Sequence, residues 1–224
     1  MMAFRTIQSI SGMAVAIGIA LTLILPSLAL GGMIEIEFTG VDISYDGTDI
    51  VDQDPNSGDP DPLTAVAITE DGVLVGSVLT SSISQNLHIP QVTSISAAGG
   101  STLSAAGGSL FLELGSGSHL DLDLGQVDIN YVDLNGAVQF VFAATVGGVS
   151  AQSLPHGLEV GQQLGVSFQT QVSPGSLTTS GGIVTGFTAS GTGDVRGAAV
   201  PEPTCLVLWT LAIAGACILG YRQK

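Results

Sequence analysis

Thiols are nearly missing from this chain. Its 224 residues hold two cysteines, Cys205 and Cys217, and both stand in the last twenty positions. The region from Leu30 to Ala199 therefore has no thiol nucleophile, no thiolate metal ligand and no disulfide. An exported domain without disulfides must bury its own apolar core, and about 170 residues suffice for one such domain but not for two comfortable ones. Bases are equally scarce. Of four lysines and arginines only Arg196 lies between Leu30 and Ala199, against 18 of the 19 carboxylates, a net charge of −17 there. Such a surface repels nucleic acid and anionic lipid, and it favours divalent cations, basic partners or plain solubility. Aromatic residues make up 5%, and the single tryptophan is Trp209, near the end of the chain. That composition argues against a sugar cleft built on stacked rings. Familiar catalytic patterns are missing too: no Gly-x-Ser-x-Gly, no His-Glu-x-x-His and no Gly-rich phosphate loop with lysine. A pair of glycosidase carboxylates could still be assembled from the many acids, because that pairing is a matter of space and not of order.

What is present is concentrated at the two ends. Arg5 gives a short positive start, and Ile10 to Leu25 is apolar apart from Ser11 and Thr22. Pro26 then breaks the helix before Ser27, Leu28 and Ala29. Small residues at 27 and 29 predict a signal peptide over 1–29 with cleavage after Ala29. The competing reading is an uncleaved anchor helix, and the lack of a following cysteine excludes a lipoprotein. At the other end Val200, Pro201, Glu202, Pro203 and Thr204 precede an uncharged run from Cys205 to Gly220, closed by Tyr221, Arg222, Gln223 and Lys224. Sixteen residues at 1.5 Å each make a helix of about 24 Å, just short of the ~30 Å hydrocarbon core. The prolines set its start, because they cannot donate backbone hydrogen bonds. Arg222 and Lys224 would keep the far end cytoplasmic.

This tail resembles the carboxy-terminal sorting signal of the PEP-CTERM family of exported bacterial proteins: Pro-Glu-Pro, a short membrane helix, a basic finish. The resemblance covers residues 200–224 and none of the domain before them. It implies that Val200, Pro201, Glu202 and Pro203, with Arg222 and Lys224, form a sorting motif read by an exosortase, a membrane-embedded processing enzyme of bacteria that make exopolysaccharide. The basic cluster is smaller than in many family members, and Cys205 replaces a more usual small residue. Without the resemblance, the same residues describe a plain single-span anchor.

Between the ends the apolar period is two. Ile34, Ile36 and Phe38 alternate with Glu35 and Glu37; Val41, Ile43 and Tyr45 continue beyond Gly40. Runs at 64–69 and 73–79 flank Glu70, Asp71 and Gly72, a hairpin signal. Leu120, Leu122 and Leu124 alternate with aspartates, as do Val127, Ile129 and Tyr131 with Asp128 and Asn130. Asn135 and Gly136 turn the chain into Val138, Phe140 and Phe142, and further strands are expected around Leu164 to Phe168 and Val184 to Ala189. With 31 glycines and no sustained 3.6-residue stripe, helices are disfavoured. The expectation is an all-β domain over 30–188, an antiparallel β-sandwich, jelly-roll-like, of roughly eight to ten strands. Gly191, Gly193 and Gly197 predict a flexible linker over 189–199.

The densest chemistry is the stretch from Asp46 to Asp61. Asp52, Asp54, Asn56, Asp59 and Asp61 could converge on Ca²⁺, which takes six to eight oxygens. The opening matches an EF-hand loop at its first, third and fifth positions, but Ser57 and Leu63 fail the sixth and twelfth. His119, Asp121 and Asp123 share one strand face at ~6.6 Å spacing, wide for a single metal. The sequence thus predicts an exported, non-catalytic surface or extracellular-matrix protein, with no nucleic-acid partner. The secretion machinery would carry it out, and the tail would tether it at the inner membrane until an exosortase released it towards the envelope or matrix and its exopolysaccharide. A Ca²⁺-dependent adhesive module is the alternative and a carbohydrate-active enzyme a further one.

Overall fold

The computed structural model describes residues 32–53, 61–78, 83–134, 137–161 and 164–199, and residues 32–200 form one compact unit. The segment expected to be a signal peptide, its expected cleavage site at Ala29 and the tail residues 200–224 lie outside the described residues.

Among the described residues thirteen strands form one antiparallel sheet: β1 (Met33–Tyr45), β2 (Ile50–Asp52), β3 (Asp61–Pro62), β4 (Ala65–Glu70), β5 (Val73–Val78), β6 (Ile83–Ile89), β7 (Gly100–Leu103), β8 (Gly108–Leu114), β9 (His119–Leu134), β10 (Ala137–Ser153), β11 (Gly165–Val172), β12 (Thr178–Ser180) and β13 (Ile183–Ala198). No α-helix occurs among the described residues. Antiparallel all-β structure agrees with the period-two pattern. The strand count exceeds eight to ten because short pieces such as β2, β3 and β12 carry too few residues to show an alternation.

The pairing closes on itself. From β1 the ladder passes through β13, β11, β10, β9, β8, β6 and β2, and β2 returns to β1. Outside this circuit β4 and β5 extend from the first half of β1, β3 lies on β6, and β7 lies on β9. First and last strands are therefore neighbours, in register from Met33 opposite Ala198 to Tyr45 opposite Phe187.

Where the apolar parity changes, the strands bulge. Ile34, Ile36 and Phe38 are buried, and so are Val41, Ile43 and Tyr45, although the first set is even and the second odd. The β1–β13 register shifts between Thr39 and Val41. Gly40 supplies the extra residue at φ 84°, where a Cβ would also lie 2.7 Å from the backbone nitrogen of Thr64. The β4–β5 hairpin turns at Asp71 and Gly72, both with positive φ (51° and 75°), the mirror-image turn that an Asp-Gly step predicts. For the β9–β10 hairpin, Leu134 pairs with Ala137, while Asn135 and Gly136 lie outside the described residues.

The core is continuous but mixed. Leu110, Leu112 and Leu114 of β8, Leu120, Leu122 and Leu124 of β9, and Ile83, Leu87 and Ile89 of β6 fill one part. Seven rings fill another: Tyr45–Phe187 (5.4 Å between centroids), Phe187–Phe140 (4.1 Å), Phe140–Tyr131 (5.0 Å), Phe140–Phe142 (5.9 Å), Phe142–Phe168 (6.5 Å) and Phe168–Phe38 (5.8 Å). The two described tyrosines thus pack inside instead of presenting a stacking platform.

One expectation fails here. Residues 189–199 are no linker; 189–198 form the second half of β13, between β1 on one side and β11 on the other, and Ala199 bridges to Val160, so the domain runs beyond 188. The glycines are there for contact. A Cβ on Gly193 would lie 2.5 Å from the Phe38 ring and 2.8 Å from that of Phe168, so the rings occupy the space its side chain would need. Gly197 makes the same room for Leu164, while Ser190, Thr192, Asp194 and Arg196 alternate on the other face.

Candidate functional site

The acidic segment starts as a turn. Beyond β1 the Asp46 carboxylate accepts the backbone N–H groups of Thr48 (2.8 Å) and Asp49 (2.9 Å). These bonds, that of Asp49 foremost, hold its carboxyl below the usual carboxylate value. Asp49 accepts the N–H of Gln91 (2.7 Å) and has the His88 imidazole 3.8 Å away, which ties the turn to the end of β6. Burial raises the pKa of the neighbouring Tyr45 hydroxyl, with Asp46 and Asp49 adding to the shift.

Of the five expected Ca²⁺ ligands, Asp52 and Asp61 are described; Asp54, Asn56 and Asp59 lie outside the described residues. Asp52 ends β2 opposite Ile43. Asp61 is 5% exposed, and its carboxylate accepts the N–H of Gln53 at 2.8 Å, closing the base of the loop. Directly across the β3–β6 ladder stands Gln85, fully buried, whose Oε1 and Nε2 both lack a hydrogen-bond partner. Paired residues of an antiparallel ladder point to one face. A buried carboxylate and an unsatisfied amide therefore share one face of the β3–β6 ladder. Among the described residues no group of three or more His, Cys, Asp or Glu is placed to hold a metal.

The strand-face cluster has structural partners. His119 stacks on Phe111 (6.2 Å) with Nδ1 3.3 Å from the Gly117 carbonyl, and Asp123 accepts the Ser150 hydroxyl at 2.7 Å. Asp128 accepts that of Ser101 at 2.8 Å. Burial raises the Tyr131 hydroxyl pKa, with Asp133 adding to it.

Two further features were not visible in the sequence. An open cleft of about 750 Å³ has uncharged walls, in which the amides and hydroxyls of Gln91, Thr93, Ser101, Thr102, Ser104 and Gln126 stand beside the apolar Leu103 and Ala105. Its walls come from β7, from the bridge between Val92 and Ser104, and from the middle of β9. A high Ser and Thr density over 93–104 was the available signal. On the outer face of the β1–β13 seam, Glu37 stands opposite Asp194, and Arg196 binds Glu35 (2.6 Å) and Asp194 (2.9 Å). Ser167 also donates to Asp194. The arginine offsets a like-charge pair that would otherwise weaken the ladder. Reading 189–199 as a linker hid this row.

Comparison of the chain with family models, with curated proteins and with solved structures finds no match.

Proposed function

We propose that the chain is an exported, non-catalytic surface or extracellular-matrix protein, delivered by its N-terminal signal and sorted by its carboxy-terminal tail. The observation that carries this reading is the order of parts: an apolar segment ending at Ala29, one compact acidic unit, then Pro201-Glu202-Pro203, sixteen uncharged residues, Arg222 and Lys224. In this reading the tail holds the protein at the inner membrane until an exosortase-type enzyme processes it, after which it joins the envelope or the exopolysaccharide matrix. On this reading the scaffold is a jelly-roll-like antiparallel sandwich whose main strands pair in a closed circuit. Many carboxylates serve as local acceptors: Asp46 in its turn, Asp123 and Asp128 for serine hydroxyls, Asp194 for Ser167 and Arg196. That use supports a structural surface. The uncharged cleft at Gln91 and Gln126 suits the hydroxyl groups of a neutral sugar chain, by hydrogen bonding without ring stacking.

Intact-mass measurement of the secreted product tests the reading. A product lacking Cys205 to Lys224 is expected, and replacing Pro201, Glu202 and Pro203 by alanine should keep the chain with the membrane fraction. A secreted product that retains the tail would contradict it.

One observation favours a second reading, a Ca²⁺-dependent module: the unsatisfied Gln85 opposite the buried Asp61. A ligand bound only by the folded state raises Tm by mass action. If the module is real, Ca²⁺ raises Tm of the wild type and not of the Asp52→Ala/Asp54→Ala variant; no rise in the wild type removes this reading.

A further inference from the structure

Chain connectivity gives the unit a distinct pole. Met33 and Ala198 are cross-strand partners, and the N–H of Ala199 donates to the carbonyl of Gly32, so the chain enters and leaves side by side. The β4–β5 hairpin tip lies at the same end. Val73 pairs with Glu70, Glu70 with Ile34 and Ile34 with Gly197; in the next row Leu74, Thr69, Glu35 and Arg196 stand together. The backbone N–H of Asp71 donates to the Met33 carbonyl and its carboxylate accepts the Met33 N–H, fixing the tip to the start of β1. This pole carries the three most exposed large apolar residues among those described: Val73 (65%), Met33 (60%) and Leu74 (59%).

The chain outside the unit says what meets them. Residues 200 to 204 are all that separate Ala199 from the apolar run that begins at Cys205. Fully extended, that connection spans about 20 Å. A bilayer that takes up the run must therefore lie within that reach of Ala199, at the pole that carries Met33, Val73 and Leu74. The charged groups at the pole are Glu35, Glu70, Asp71, Arg196 and Glu159, the last beside the bridge between Val160 and Ala199; Arg196 is bound to Glu35, and Asp71 is engaged by Met33.

We propose that this pole is a lipid-docking surface: while the tail is uncleaved, Met33, Val73 and Leu74 rest on the outer leaflet and hold the unit with its entry and exit strands against the membrane. The proposal depends on the tail being membrane-inserted, as in the function proposed above. Exposed apolar side chains partition into the interface, whereas the acidic surroundings select zwitterionic lipid over anionic.

The test uses the tail-bearing chain in phosphatidylcholine vesicles containing brominated lipid, in a Cys205→Ser/Cys217→Ser background. An environment-sensitive dye is placed at Val73→Cys or, at the far end of β13, at Ile183→Cys. Trp209 reports independently on the tail. Docking predicts that Trp209 is quenched, that the dye at 73 is quenched several-fold more than the dye at 183, and that adding Met33→Ser and Leu74→Ser brings the two to one level. Admixed anionic lipid should lower quenching at 73, and salt should restore it. Quenched Trp209 with equal dyes overturns docking and leaves the anchored tail intact. Unquenched Trp209 overturns the anchored tail, and docking with it.

Discussion

The leucine side of the core and its aromatic side reach the same dryness by opposite means. On β6, β8 and the first half of β9, the inward positions carry branched aliphatic chains except at Gln85 and Gly108, and the leucines and isoleucines face one another across the ladder. On β1, β10, β11 and β13 a few rings do the filling, and the strand beneath them gives way with glycine: Phe38 and Phe168 lie where a side chain of Gly193 would be. Volume is conserved across the strand pair and not within each strand. Packing density, not hydrophobicity residue by residue, is what the fold satisfies.

Phe140 offers the strongest way to break this comparison, since it touches Tyr131, Phe142 and Phe187 at once. Phe140→Ala should cost about 3–5 kcal/mol in denaturant unfolding. Leu122→Ala on the aliphatic side should cost about 2–5 kcal/mol, and a loss well below that range would mean that the leucine ladder collapses around the gap. Gly193→Ala adds one methyl yet should destabilise by about 1–3 kcal/mol, because the rings have to move. An unchanged midpoint for that variant would show that β13 is loosely held after all. Gln85→Leu should stabilise by about 1 kcal/mol, as it removes an orphaned buried amide. A loss instead would show that the amide serves a bound water or ion. The smallest effect belongs to Asp46. Its folded pKa is lowered, so its contribution is complete above the ordinary carboxylate value and fades as pH falls through the folded value; Asp46→Ala should flatten that part of the stability profile.

How far the sequence could be read follows the same division. Leu120, Leu122 and Leu124 announce a strand, and Asp71-Gly72 announces a turn, because side-chain polarity and backbone freedom are local properties. Phe187, Ala189, Gly191, Gly193, Val195 and Gly197 also face one way along β13, but glycine carries no polarity to alternate. Its role exists only once Phe38 and Phe168 arrive from other strands. The candidate sites divide likewise. The density of aspartate near residue 50 was plain, whereas the approach of Gln85 to Asp61 and the amide cleft between Gln91 and Gln126 depend on ladders that close over long separations.

That the opening and final strands are partners also sets a timetable. The circuit cannot shut until residue 198 has been delivered, and contacts between chain ends form slowly because the intervening loop entropy is met first. On the export route proposed above, the chain would stay open for the whole of its passage, and its last strand would act as the latch that turns a translocating polypeptide into a folded one.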